Sequence, residues 1–306
     1  MMNKNIIPPV AIELIEQELN EKTFVRRTNK VDNEIYIVNY HNSPNVVREI
    51  GRLRELTFSL AGGGTGNELD LDELDVSENC YDQLIVYDRA AKIIASGYRF
   101  MDCSKVLNGD SDDIAISTRH YFNFSKKFIR QYLPYTIELG RSWVHPDYQS
   151  GKSRKGLFAL DNLWDGLGAI VLNHPKMKYF FGKVTMYSTY NVEARNALLY
   201  FINAYFPDIE NLVTPIHPIS VDADPKEIRE LIRNKDFNEG LKALNQYLKI
   251  HGETIPPLIN IYMKLSPTMK SFGTALNPDF GGVEETGILV TIADIYEEKK
   301  ERHLKF

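Results

Sequence analysis

Residues Tyr135–Gly156 read YTIELGRSWVHPDYQSGKSRKG, and this stretch sets the expected fold. Tyr135 to Val144 is rich in aromatic and β-branched residues and reads as a strand. His145-Pro146-Asp147-Tyr148 is a turn, and Ser150 to Gly156 is a basic loop containing two glycines. Helical periodicity then runs from Leu157 to about Asn173. Strand, glycine-containing basic loop and helix in that order make an anion site. The helix start gathers unpaired N–H groups and the positive end of the dipole. Gly151 and Gly156 permit close backbone approach, while Lys152, Arg154 and Lys155 add charge. The plainer reading of the same residues is a solvated basic loop.

Working upstream, Ala11 to Asn20 and Val46 to Leu60 carry apolar residues at helical spacing, and Glu34 to Asn39 alternates like a strand. The second helix ends in Ala61-Gly62-Gly63-Gly64-Thr65-Gly66. This run lacks the Lys-Ser/Thr ending of a P-loop and follows a helix rather than a strand. Glu68 to Asp82 is an acidic loop. Gln83 to Tyr87 and Lys92 to Phe100 form a hairpin, and Phe122 to Leu133 is a helix stopped by Pro134. Downstream come a strand at Tyr179 to Tyr187, a helix at Val192 to Phe206 and a late strand at Gly287 to Ile295. Asp222 to His251 reads as an inserted helical hairpin. Such interleaving predicts an α/β chain with a mixed sheet: residues 1–45 form an N-terminal extension and 46–306 the main domain.

Composition excludes several classes. The 306 residues hold 36 Lys and Arg against 41 Asp and Glu, a net charge of −5, which argues against a general nucleic-acid binder. Two cysteines, Cys80 and Cys103, make no disulfide framework and no zinc spacing, and the histidines are scattered, so no metal is expected. Neither a secretory signal nor a membrane-spanning run is legible, so a cytoplasmic protein is expected, with room for peripheral contact at a membrane surface. No G-x-S-x-G elbow marks a serine hydrolase.

Two groups of residues could carry chemistry. Glu138 and Arg141 lie three apart and would face opposite sides of a regular strand, so only a bulge or splay brings both to one cleft. In that cleft Glu138 would act as a general base. Taken alone, such a pair is more often a structural ion pair. Asp70, Asp72 and Asp75 in the acidic stretch can hold a cationic amine or clamp Arg54 and Arg99, since a buried arginine needs a carboxylate.

The succession Arg54-x-x-x-Phe58, Asp72-x-x-Asp75, Gly97-Tyr98-Arg99 and Glu138-Leu139-Gly140-Arg141-Ser142-x-Val144-x-Pro146-x-Tyr148 resembles the acyl-carrier-protein-dependent N-acyltransferases of amino-acid lipid synthesis. These are the ornithine-lipid and glycine-lipid enzymes, also labelled hemolysins. Longer strings, LDNLWDGLGA (Leu160 to Ala169), YFFGKVTMY (Tyr179 to Tyr187), IPPLINIYM (Ile255 to Met263) and FGGVEETG (Phe280 to Gly287), are similar to the Bacteroidetes glycine-lipid branch.

That resemblance implies a GNAT-like acyl-CoA N-acyltransferase fold, splayed at its middle strands, and an (3-hydroxy)acyl-phosphopantetheine thioester as donor substrate. The thioester is carried by acyl carrier protein or coenzyme A, with no tightly bound cofactor. Glycine or a similar amino acid is the implied acceptor. It also implies that Glu138, Arg141 and Arg99 serve catalysis and substrate positioning, that Arg54, Asp72 and Asp75 lie at the substrate, and that the loop from Gly151 to Gly156 holds the phosphopantetheine. The loop departs from the usual GNAT spacing, and Leu198 stands where many relatives carry a leaving-group tyrosine. An acetyl-coenzyme A acetyltransferase, a homoserine-lactone synthase and a non-catalytic acyl or carrier binder are the alternatives. A lytic protein is poorly supported, for want of a strongly amphipathic basic helix.

Overall fold

Val46, Val47, Ile50, Leu53 and Phe58 all fall on one buried stripe, and Pro44 occupies the first turn, where its missing N–H costs nothing. Residues 44–60 therefore form a helix. The computed structural model describes residues 5–107, 114–149, 158–221 and 226–303. Along it run α1 (Ile12–Glu18), β1 (Phe24–Arg27), β2 (Glu34–Val38), α2 (Pro44–Leu60), α3 (Glu73–Val76), β3 (Asp82–Asp88), β4 (Ile93–Asp102) and β5 (Phe122–Phe124). Then follow β6 (Thr136–Val144), α4 (Ala159–Asn173), β7 (Tyr179–Met186), α5 (Val192–Tyr205), β8 (Val213–Pro215), α6 (Lys226–Ile232) and α7 (Phe237–Ile250). The last elements are α8 (Pro257–Met263), β9 (Lys270–Asn277), β10 (Val283–Thr291) and α9 (Glu297–His303). Helices and strands interleave as the mixed α/β reading requires.

The chain divides into two compact units, the first drawn from residues 1–117, 134–178 and 297–306, the second from 118–133 and 179–296. The boundary is not the one expected after residue 45, because β1 and β2 join the sheet of the first unit. There β1, β2, β3, β4 and β6 pair antiparallel in that order. Helix α4 packs on β3 and β4 so closely that a Cβ added at Gly166 would lie 2.6 Å from Leu84 Cδ2. Helix α9 is pinned to α4 by Arg302 on Asp161 at 2.6 Å and by His303 Nδ1 on Asp165 at 2.8 Å.

Between β4 and β6 the register slips. Gly97 faces Trp143 and Arg99 faces Gly140, so β6 carries one residue more than its partner, and Arg141 takes φ +48°. This is a β-bulge, the device without which Glu138 and Arg141 would have faced apart.

In the second unit β7, β10 and β9 pair antiparallel in that order, and β5 pairs with β8. The helix expected from Phe122 to Leu133 is a correction. Phe122 to Phe124 instead extend as β5 against Val213 to Pro215, and the chain coils only from Lys126 onward, through a π-helical turn at Phe128 to Tyr132 and a 3-10 turn at Leu133 to Tyr135. Aromatic residues suit a strand, and Phe128 packs at 5.2 Å between ring centroids against Phe181 of β7. Tertiary packing outweighed helical spacing. Within the stretch read as an inserted hairpin stand α6 and α7, whose Ile228, Ile232, Leu241, Leu244 and Leu248 are buried.

Candidate active site

In the first unit, three arginines and three aspartates form one continuous cluster. Arg54 donates from Nε to Asp70 Oδ2 and from both terminal nitrogens to Asp75, each at 3.1 Å. Arg99 Nη1 reaches both oxygens of Asp72 at 2.8 Å and Asp75 Oδ2 at 3.1 Å. Arg141, turned by the bulge, donates from Nε to Asp70, 2.9 Å from Oδ2. Gln83 Nε2 and the Asp72 backbone N–H complete the shell of Asp75. Arg54 and Asp75 are wholly buried, so these charges survive only because each is paired and hydrogen-bonded. Burial alone would raise the Asp70 and Asp75 carboxyls, yet Arg141 and Arg54 hold Asp70, and Arg54 and Arg99 hold Asp75, below the usual value. The same carboxylates outweigh burial in the other direction and keep Arg54 and Arg99 protonated.

Glu138 adjoins this cluster. It lies on β6 opposite Met101 of β4, is 1% exposed, and accepts from the Tyr81 hydroxyl and, at 3.3 Å, from the Ser117 N–H. Ser117 N also donates to the Tyr81 oxygen at 2.9 Å. The Arg99 guanidinium stands over the Tyr81 ring at 5.0 Å, so Glu138, Tyr81 and the arginine cluster are in contact. Burial, then the Glu138 charge, pushes the Tyr81 hydroxyl well above its ordinary value and keeps it protonated. Burial and Glu138 likewise push up the Cys103 thiol, which leaves no thiolate nucleophile beside the carboxylate.

Known proteins are similar to this chain. A GNAT acetyltransferase domain family matches residues 53–159, a stretch containing all six charged residues of the cluster and Glu138. The glycine N(alpha)-acyltransferase of Phocaeicola vulgatus is 49% identical over 303 residues, which cover 99% of this chain and 93% of that one. Its counterpart from Bacteroides thetaiotaomicron is 50% identical over 303 residues, 99% of this chain and 90% of that one. The chain belongs to the glycine N(alpha)-acyltransferase family. As a member of that GNAT-type family it is an acyltransferase with a GNAT-like fold.

Against that family pattern, Glu138, Arg141, Arg99, Arg54, Asp72 and Asp75 all come together. The two aspartates expected at the substrate are engaged by the arginines. Gly151, Lys152, Arg154, Lys155 and Gly156 lie outside the described residues. Asn191 caps α5, its side-chain oxygen accepting from Glu193 N and Ala194 N at 3.0 Å, and Leu198 is buried in that helix. The glycine run after α2 wraps an internal carboxylate instead of a phosphate. Glu55 accepts from Thr65 N at 2.9 Å, Thr65 Oγ1 at 2.8 Å and Gly66 N at 3.0 Å. Gly64, at φ +94°, leaves no room for a Cβ, which would meet Ser59 Oγ at 2.8 Å.

A separate cleft of about 330 Å³ opens on Val10, Ile15, Arg52, Lys92, Ile94 and His145. It lies toward the far end of β4 from Met101, about 25 Å along the strand, and does not serve Glu138. Sequence reasoning missed Tyr81 and Ser117 as partners of Glu138. Only the Tyr81 position, the lone aromatic of the acidic stretch just before β3, offered a hint. No described helix is long and apolar enough to cross a membrane.

Proposed function

We propose that this chain transfers a (3-hydroxy)fatty acyl group from the phosphopantetheine thioester of acyl carrier protein to the amine of glycine, for amino-acid lipid synthesis. The relatives' name supports glycine as acceptor. The observation that carries the mechanism is the Glu138 carboxylate held by Tyr81 O–H and Ser117 N–H beside a bulged strand. In the reaction the amine nitrogen attacks the thioester carbon, the C–S bond breaks, and the thiolate leaves to be protonated by solvent. Glu138 receives the amine proton through Tyr81, whose oxygen accepts one proton as its own passes to the carboxylate. Direct attack suits a site whose cysteine stays a thiol.

Arg141, the most exposed of the three arginines, and Arg99, whose buried Nε–H has no acceptor, position substrate oxygens. Carrier docking uses a basic patch, either Lys126, Lys127 and Arg130 or Lys152, Arg154 and Lys155. The reaction takes place in the cytoplasm, with peripheral membrane contact at product release.

The test is release of free carrier thiol from acyl carrier protein thioester in the presence of glycine. Glu138→Gln lowers turnover by about 10²–10⁴-fold at neutral pH with donor binding nearly intact. Unchanged turnover removes Glu138 as base, and no release with any amino acid ends the reading. Because the matched domain is described as an acetyltransferase, acetyl-coenzyme A is the donor to compare. Faster transfer from it than from a long-chain carrier thioester favours that second reading.

A further inference from the structure

The second unit holds a buried ion pair that the mechanism above does not use. Lys183 of β7 and Glu285 of β10 form a salt bridge with side chains 8% and 1% exposed. Register explains the meeting. Lys183 faces Gly287, Thr185 faces Glu285, and Asn277 faces Val283, so the two-residue period puts Lys183, Glu285 and Asn277 on one face of the sheet. Tyr121 covers the pair, its ring centroid 4.7 Å from Lys183 Nζ. Asn277, wholly buried, donates from Nδ2 to Glu285 Oε1 at 2.9 Å. A carboxylate paired with a lysine only accepts, so the amide must turn its NH2 toward it. Asn277 Oδ1 is then left buried without a hydrogen-bond donor.

A buried acceptor with no donor is costly and calls for a reason. An N–H donor would satisfy it, and the ion pair beside it offers one cation and one anion. A zwitterion matches all three.

Resting on the N-acyltransferase reading, we propose that Lys183, Glu285 and Asn277 recognise the α-amino acid acceptor. Its carboxylate takes Lys183 Nζ, and its ammonium takes Glu285 and the free Asn277 oxygen. The resident salt bridge is thus the substrate-free form of the site, each partner standing in for one end of the ligand. The lysine stem is flexible enough to part from the glutamate.

Acyl transfer to glycine and to glycinamide, which lacks the carboxylate, is measured for the wild-type chain, Lys183→Met, and the charge swap Lys183→Glu with Glu285→Lys. Thermal melting and calorimetric titration with glycine accompany the kinetics. The expected result for Lys183→Met is a KM for glycine raised at least about tenfold, with the donor KM unchanged and the preference for glycine over glycinamide lost. The swap restores melting temperature, because the pair re-forms, but not transfer, because the ligand's polarity is reversed. A wild-type glycine KM in Lys183→Met, or a swap that restores stability and transfer together, overturns the inference and leaves the reading of the enzyme intact. No transfer to glycine by the wild-type chain sinks that reading instead, and calorimetry then decides the site. A glycine titration lost in Lys183→Met supports it, whereas absent or equal titrations overturn it.

Discussion

The Arg–Asp cluster of the first unit and the Lys183–Glu285 pair of the second are both buried polar assemblies, yet their loose ends differ. In the first, every oxygen of Asp70, Asp72 and Asp75 is engaged, and the unpaired atom is a donor, Arg99 Nε. In the second, Asn277 Oδ1 is an acceptor without a donor, and Glu285 Oε2 meets only the Lys183 charge. A leftover donor suits a carbonyl or carboxylate oxygen, and a leftover acceptor suits an ammonium. The contrast also concerns redundancy. Three arginines share three aspartates, so the first assembly is a braced support, while the second has a single ion pair on a flexible lysine stem.

The largest expected effect breaks the support. Arg54→Met takes one of two arginines from each of Asp70 and Asp75, and urea unfolding should show a loss of about 3–5 kcal/mol. A loss below about 1 kcal/mol would mean the cluster is not braced as described. Acid sharpens the same point. Both carboxyls bind protons less readily folded than unfolded, so the unfolded chain takes up more protons as pH falls. Their stabilisation is fully present above the unfolded value near 3.9 and disappears as pH drops through the lower folded values. Urea midpoints measured from pH 6 down to 2 should fall below about pH 4, and less steeply in Arg54→Met. Equal slopes would discard the assignment.

A smaller loss, about 1–3 kcal/mol, is expected for Glu55→Ala, which unties the glycine run from α2. Limited proteolysis at that run should accelerate, and resistance equal to wild type would count against the carboxylate as its anchor. Smallest is Tyr121→Leu. It removes a cation–π contact worth about 0.5–1 kcal/mol in the melt while raising the glycine KM. A change in melting with no change in KM would make the Lys183 site a support like the other.

Some of this was legible beforehand. Arg54, Asp72, Asp75, Arg99, Glu138 and Arg141 stood out because charged residues beside apolar periodicity demand partners. The hairpin of β3 and β4 and the strand β6 followed from period-two patterns. The bulge did not, since Arg141 adopts a positive φ that its residue type gives no warning of. The helix expected at Phe122–Leu133 loses its first residues to a strand because β8, far along the chain, supplies a partner to Phe122–Phe124. Lys183 inside YFFGKVTMY and Glu285 inside FGGVEETG did not stand out, because nothing local names either as the other's partner.

The sequence by itself determined the mixed α/β class and which charged residues must be paired, because composition and periodicity are local properties of the chain, while the family and the acyl-transfer class came from the resemblance that its motifs carry. Only the tertiary structure decided who pairs with whom: Glu138 with Tyr81 and Ser117, Arg141 with Asp70, Glu55 with its glycine run, Lys183 with Glu285. Strand register and a single inserted residue fix those meetings, and both are set by contacts between segments far apart in the chain.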